Sequence, residues 1–149
     1  MSETEERLTI KSILVAVDGS LHSDKAVRYA CAMGPSLGAE IVLLHVVPMV
    51  VSATPYHDTV SDQPFISLQK VGEDILEKAK RLANRCGCEV IDMISHGDPA
   101  IRIIDIATER EVDLIIIGSR GVSGIKRLFT GSISDKVSKN AACPVMIVR

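Results

Sequence analysis

Three glycines and a serine near the end of the chain have the spacing of a phosphate-binding loop. Two residues separate Gly118 from Gly121, nine separate Gly121 from Gly131, and Ser132 follows at once. The apolar run Asp113–Gly118 just before them reads as a buried parallel strand. Glycine directly after a strand lets the backbone turn sharply and approach a ligand closely. Ser132, ahead of Ile133 and Val137, marks a helix start, where unpaired N–H groups and a partial positive charge favour phosphate. A strand end, a glycine loop and a helix start together suggest a cradle for nucleotide phosphates.

A second candidate is Asp18, in the turn Asp18-Gly19-Ser20 that ends the apolar run from Lys11 to Val17. It could face a ligand, or it could cap the helix that follows, since Asp-Gly-Ser is a common turn. Asp18 is also the only reasonable general base near the glycine loop. The Gly-x4-Gly-Lys-Ser/Thr phosphate loop is absent, and phosphoryl transfer needs a positioned acceptor, a metal and charge stabilisation. The residues therefore point to binding, with at most slow hydrolysis of a bound nucleotide, and no catalytic residue is assigned. His22, His45, His57 and His96 show no metal-ligand spacing. His45, on an apolar run, reads as a packed histidine. Cys31, Cys86, Cys88 and Cys143 lack the pattern of a disulfide framework, and the Cys86/Cys88 spacing is neither a zinc knuckle nor a redox CxxC pair. They read as reduced packing residues.

The elements that must position these groups alternate regularly. Lys11–Val17 is a first strand, and Ala26, Ala30, Met33 and Leu37 define a helix that Gly38 ends. Glu40–Val46 is a second strand. Residues 47–65, with Pro48, Pro55 and Pro64, read as a long loop, of a length that tends to be functional or mobile. Leu68, Val71, Ile75, Ala79 and Leu82 mark a second helix that stops around Gly87. Glu89–Ile94 is a third, less apolar strand, expected nearer a sheet edge. Asp98 caps a third helix with Pro99 at its first position. Asp113–Ile117 is the fourth strand, a short helix runs from about Ser132 to Asn140, and Pro144–Val148 is the fifth strand. Strict alternation predicts an α/β fold, a parallel sheet with helices on both faces. In such sheets ligands lie beyond the C-terminal strand ends, where the strand order switches. The order 3-2-1-4-5 would put Asp18 and Gly118 on one crevice.

Composition agrees. At 149 residues the chain suits one domain, 1–149, with a real core. It is 46% hydrophobic but only 3% aromatic, so aliphatic residues fill the core, as in parallel sheets. No apolar run approaches a membrane span. The acidic start, MSETEERLTI, is unlike a signal peptide, so a cytoplasmic protein is expected. The net charge of −2 is uneven: residues 118–149 carry about +5 and the remainder about −7. Without a dense basic stripe or aromatic platforms, nucleic acid is not an expected partner.

At these residues the chain resembles the ATP-binding branch of the universal stress protein family. That family's signature G-x2-G-x9-G-S/T is met by Gly118, Gly121, Gly131 and Ser132. The resemblance extends over Ile13–Ser20, Leu44–Val47, Gly97–Pro99 and Val112–Gly118. It implies a Rossmann-like, five-stranded fold of the adenine nucleotide alpha hydrolase-like type, ordered 3-2-1-4-5. It implies that Ala16, Val17 and Asp18 sit against the adenosine end and that the Val46 backbone meets adenine. Gly118 would approach the ribose, and Gly121, Gly131, Ser132 and Ile133 would hold the phosphates, with Ser134 nearby. The implied ligand is ATP, with ADP or AMP as alternatives, carrying Mg or Mn on its phosphates. Arg120, Lys126 and Arg127 are possible helpers, and Gly124 has no assigned role. The family also implies a homodimer through strand 145–148, whose open edge invites pairing and which Met146→Pro should disturb. An unidentified protein partner would read the bound state. A scaffold that ignores nucleotide is the remaining alternative. The SGGxDS-type loop of ATP pyrophosphatases and the acceptor Asp of response-regulator receivers are both missing.

Overall fold

A computed structural model describes residues 7–49, 63–120 and 132–149. The elements run β1 (Ser12–Ala16), α1 (Leu21–Leu37), β2 (Glu40–Val47), α2 (Gln63–Arg85), β3 (Ile91–His96), α3 (Pro99–Glu109), β4 (Leu114–Gly118), α4 (Ile133–Asn140) and β5 (Val145–Val148). The five strands form one parallel sheet in the order β3-β2-β1-β4-β5. β1 sits at the centre, and the step from β3 through α3 to β4 crosses it. The order therefore switches between β1 and β4, as expected. No helix among the described residues is long and apolar enough to cross a membrane.

The period of two along each strand divides the core. Ile13, Val15, Ile41, Leu43, Leu114 and Ile116 face α1 and α2, where Ala26, Val27, Ala30, Leu76, Ala79 and Ala83 complete one apolar layer. Leu14, Leu44, Val46, Ile115 and Ile117 face α3 and α4, meeting Ala100, Ile103, Ile106, Ala107 and Val137. Central strands buried on both faces read as continuous Val/Ile/Leu runs. That is why β1, β2 and β4 were plain in the sequence.

Helix ends follow local chemistry. Gly38 adopts φ 66 at the end of α1, the left-handed conformation that glycine takes without penalty. Asp98 caps α3, its side chain accepting from Ile101 N at 3.1 Å, with Pro99 leading the helix. At the opposite end of the sheet, Asp113 Oδ2 accepts from Lys11 N at 2.7 Å and Ser12 N at 3.0 Å. That pair ties the start of β1 to β4.

Three expectations need correction. The third strand is Ile91–His96, not Glu89–Ile94, because its pairing with β2 runs from Val42↔Ile91 to Val47↔His96. It does lie at an edge. The second helix begins at Gln63, so residues 63–65 are helical rather than loop. Pro64 misled the reading, yet proline suits a first helical turn, where its missing N–H is not needed. Residue 47 closes β2, and 50–62 of the expected loop lie outside the described residues. Finally, Met146 is a poor probe of the sheet edge. Pro144 O and Val148 O accept from Ile115 N and Ser119 N of β4 and its continuation, at 3.0 and 2.8 Å. By the strand's period, Met146 turns its backbone groups to β4 as well, whereas Val145 and Ile147 turn theirs outward.

Candidate functional site

The loops after β1 and β4 meet at the switch point. Asp18 Oδ1 accepts from Ser20 N at 2.9 Å, Ser20 Oγ accepts from Ser23 N at 3.1 Å, and Ser23 Oγ accepts from Asp18 N at 3.1 Å. These three bonds close a rigid turn around Gly19, whose φ of +83 favours glycine. The N-cap of α1 is thus Ser20, not Asp18. Asp18 is half-buried, and its second carboxylate oxygen has no hydrogen bond among the described residues.

The α1 side is latched to the β4 side by two further contacts. Ser20 Oγ donates to Arg120 O at 3.2 Å, and His22 Nδ1 lies 2.9 Å from Ser119 Oγ. Gly118 stands against this latch. A Cβ there would lie 2.8 Å from His22 Cβ, 2.9 Å from the His22 carbonyl carbon and 3.0 Å from Ser23 N. Glycine at 118 is therefore demanded by the first turn of α1, a reason the sequence reading did not contain.

On the β2 side, Val17 N donates to Leu44 O at 2.8 Å, and His45 Nδ1 lies 2.7 Å from Val17 O. A carbonyl can only accept, so Nδ1 carries the proton. His45 is buried and serves as a packed strut, as its apolar run suggested. Val46, next to it, is buried and pairs with Ser95 of β3.

α4 leads into a parallel strand, so its N-terminus opens at the same C-terminal edge of the sheet. Ser132 caps it, accepting from Asp135 N at 3.2 Å, and Lys136 N donates to Ser132 O at 3.0 Å. The Ile133 and Ser134 amides then have no intrahelical acceptor. Ile133 is exposed, whereas Ser134 is buried with its Oγ 3.2 Å from that of Ser132. Two helix N-termini, those of α1 and α4, thus open at one edge of the sheet, and their partial positive charge suits an anion. Among the described residues no cluster of three His, Cys, Asp or Glu side chains could hold a metal ion.

The structure therefore brings Ala16, Val17, Asp18, Val46, Gly118, Ser132, Ile133 and Ser134 to one end of the sheet. Gly121 and Gly131, with Gly124, Lys126 and Arg127, lie outside the described residues. The sequence reading missed Ser20, His22, Ser23 and Ser119. Ser20 carried a usable signal, a serine directly before a helix, where it can cap the first turn. The His22–Ser119 contact spans most of the chain and carried none.

Comparison with known proteins places this geometry. The model of the universal stress protein family matches residues 9–149. The chain is 39% identical over 146 residues to the universal stress protein YxiE of Bacillus subtilis, covering 92% of this chain and 97% of that one. It is similar in structure to the universal stress protein UspA from Lactobacillus plantarum, with TM-score 0.82 and 26% identity over 95% of this chain and 99% of that one. Two solved structures at 22% identity and TM-score 0.69 share the fold. One is a universal stress protein in complex with cAMP, covering 95% of this chain and 98% of its own. The other is the Archaeoglobus fulgidus universal stress protein in complex with dAMP, covering 95% and 100%. With a family match over almost its whole length and the strand order its glycine signature implied, the chain belongs to the universal stress protein family.

Proposed function

We propose that this chain is an ATP-binding regulatory protein of the stress response, acting by binding rather than by chemistry. The observation that carries the reading is the paired opening of the α1 and α4 N-termini beside the β1/β4 switch point. That is where parallel α/β sheets take nucleotides. The cAMP and dAMP complexes of its structural neighbours support an adenine nucleotide as the ligand class. The second carboxylate oxygen of Asp18 suits the ribose hydroxyls, the end of β2 at Val46 suits the adenine, and the first-turn amides of Ile133 and Ser134 suit phosphate oxygens. Gly121 and Gly131 join them on the strength of their spacing in the signature. A Mg or Mn ion would be held by the phosphates.

The protein works in the cytoplasm as a homodimer. Support for the dimer is the position of β5 at a sheet edge, with the backbone groups of Val145 and Ile147 turned outward and Ile147 exposed. A partner protein reads the nucleotide-bound surface. The test is extraction: protein purified without added nucleotide is precipitated with acid and the supernatant is chromatographed. Adenine nucleotide in near-stoichiometric amount, or its retention after incubation with Mg-ATP and gel filtration, is expected. Protein that emerges empty from both would overturn the reading.

A further inference from the structure

Three of the four cysteines converge where α1 packs beside the end of α2. Cys31 and Cys88 are buried in the same apolar layer, and Cys86 is exposed. The turn Cys86-Gly87-Cys88 ends α2, with Gly87 at φ +80 and both Cys86 N and Cys88 N bonded to Ala83 O at 3.0 Å. This reversal turns Cys88 back onto α1 and leaves Cys86 two residues away at the surface.

Proline builds the other half of the arrangement. In a helix the carbonyl of Cys31 would accept from the N–H of residue 35, but residue 35 is proline and has none. Cys88 Sγ fills the vacancy, donating to Cys31 O at 3.4 Å. That contact sets Cys31 beside the turn that carries Cys86, whose N–H shares the acceptor Ala83 O with that of Cys88. Among the described residues no three such side chains form a metal-holding group.

We propose that Cys86, Cys31 and Cys88 form a peroxide-responsive modification site, in which exposed Cys86 is oxidised first and Cys31 then closes a disulfide with it. In the first step the Cys86 sulfur attacks one peroxide oxygen. The O–O bond breaks, Cys86 becomes a sulfenic acid, and the other oxygen leaves as water or an alcohol. In the second step the Cys31 sulfur attacks the Cys86 sulfur, the S–O bond breaks, and the hydroxyl leaves as water with the Cys31 proton. Two electrons pass from the two thiols to the peroxide.

The order follows from access and protonation. Burial, and then the neighbouring Cys88 and Cys86 sulfurs, push the Cys31 thiol up to about 12. Buried and protonated, Cys31 does not meet the oxidant first. Cys86 is the member of the cluster that solvent reaches. Disulfide closure is then slow at neutral pH and quickens as pH rises, because the thiolate is the attacking species.

The test uses the full chain, treated with a few equivalents of hydrogen peroxide, then alkylated, digested and analysed by mass spectrometry. Wild-type protein is expected to lose two of its four alkylatable thiols and to show a linkage of Cys31 to Cys86. Cys88→Ser keeps a donor for Cys31 O and should still form the link, whereas Cys86→Ser, at an exposed position, should not. Cys31→Ala should leave a Cys86 sulfenic acid that dimedone traps. Wild-type protein in which Cys86 advances to the sulfinic acid while Cys31 stays fully alkylatable overturns the proposal. So does a Cys86→Ser variant that loses Cys31 alkylation as fast as wild type.

Discussion

Replacing Gly118 by alanine tests the packing at the heart of the candidate site. The added Cβ would lie 2.8 Å from His22 Cβ, 2.9 Å from His22 C and 3.0 Å from Ser23 N. Carbon atoms in good contact stand about 3.5–4.0 Å apart, so relief needs a movement of about 0.6 Å. None of the three atoms can swing away, because two are backbone and the third is bonded to it. α1 must therefore shift as a body, or the end of β4 must bend. Either movement stretches the Ser20–Arg120 and His22–Ser119 contacts, now 3.2 and 2.9 Å. Overpacking of this kind costs about 1–3 kcal/mol. With a urea m-value of about 2 kcal/mol/M, the unfolding midpoint should fall by about 0.5–1.5 M without a change in slope. Gly38→Ala is a useful contrast, since nothing lies within 4 Å of its Cβ and only its φ of +66 is strained. That change should cost about 1 kcal/mol through backbone conformation alone and leave nucleotide binding intact. A Gly118→Ala midpoint within about 0.2 M of wild type would refute the argument that α1 dictates this glycine.

Three further outcomes are expected. Gly72→Ala would put a Cβ 2.8 Å from His45 Cδ2 and 3.1 Å from Val47 Cγ2, against a ring held by its bond to Val17 O. It should lower Tm in a thermal scan by about 3–8 °C. Ile147→Pro should weaken the proposed dimer in light scattering while leaving a folded monomer, because it removes an outward-facing donor; an unchanged dimer mass counts against this edge. Alkaline stability should depend on Cys31, whose thiol is raised from 9.0 to about 12 chiefly by burial. The folded chain then holds a proton that the unfolded chain loses, so this contribution is full below pH 9 and is lost as pH rises toward 12. The stability gap between wild type and Cys31→Ala, followed by denaturant titration, should narrow over that window.

Much of the architecture was legible because physical signals coincided. β1, β2 and β4 are buried on both faces, so each is a continuous aliphatic run. Gly38, Asp98 and Pro99 are helix-end residues acting as their chemistry dictates. The edge strand β3 was misplaced because most of its residues are exposed or half-buried, so its period is weak and its register is set by β2 instead. Pro64 concealed the start of α2 because proline marks both loops and first helical turns. The glycine signature was read through its spacing, which is local. The reason for Gly118 was not readable, because it lies in the approach of α1. The glycines inside helices, Gly34 and Gly72, did carry a signal that went unused. A glycine within a helix marks close packing, and Ile41 and His45 occupy the space in front of them. The cysteine cluster escaped for a related reason: Cys31 joins Cys86 and Cys88 only once α1 packs beside α2.

The central claim is that adenine nucleotide binds at the end of the sheet between β1 and β4, on the α4 N-terminus. The most direct measurement is a calorimetric titration of nucleotide-stripped protein with Mg-ATP, beside the Gly131→Val variant. Wild-type protein is predicted to bind with micromolar affinity, corresponding to about −8 kcal/mol, and a folded Gly131→Val protein to lose that binding. A folded wild-type protein that takes up no nucleotide, or a variant that binds as tightly as wild type, would contradict the account.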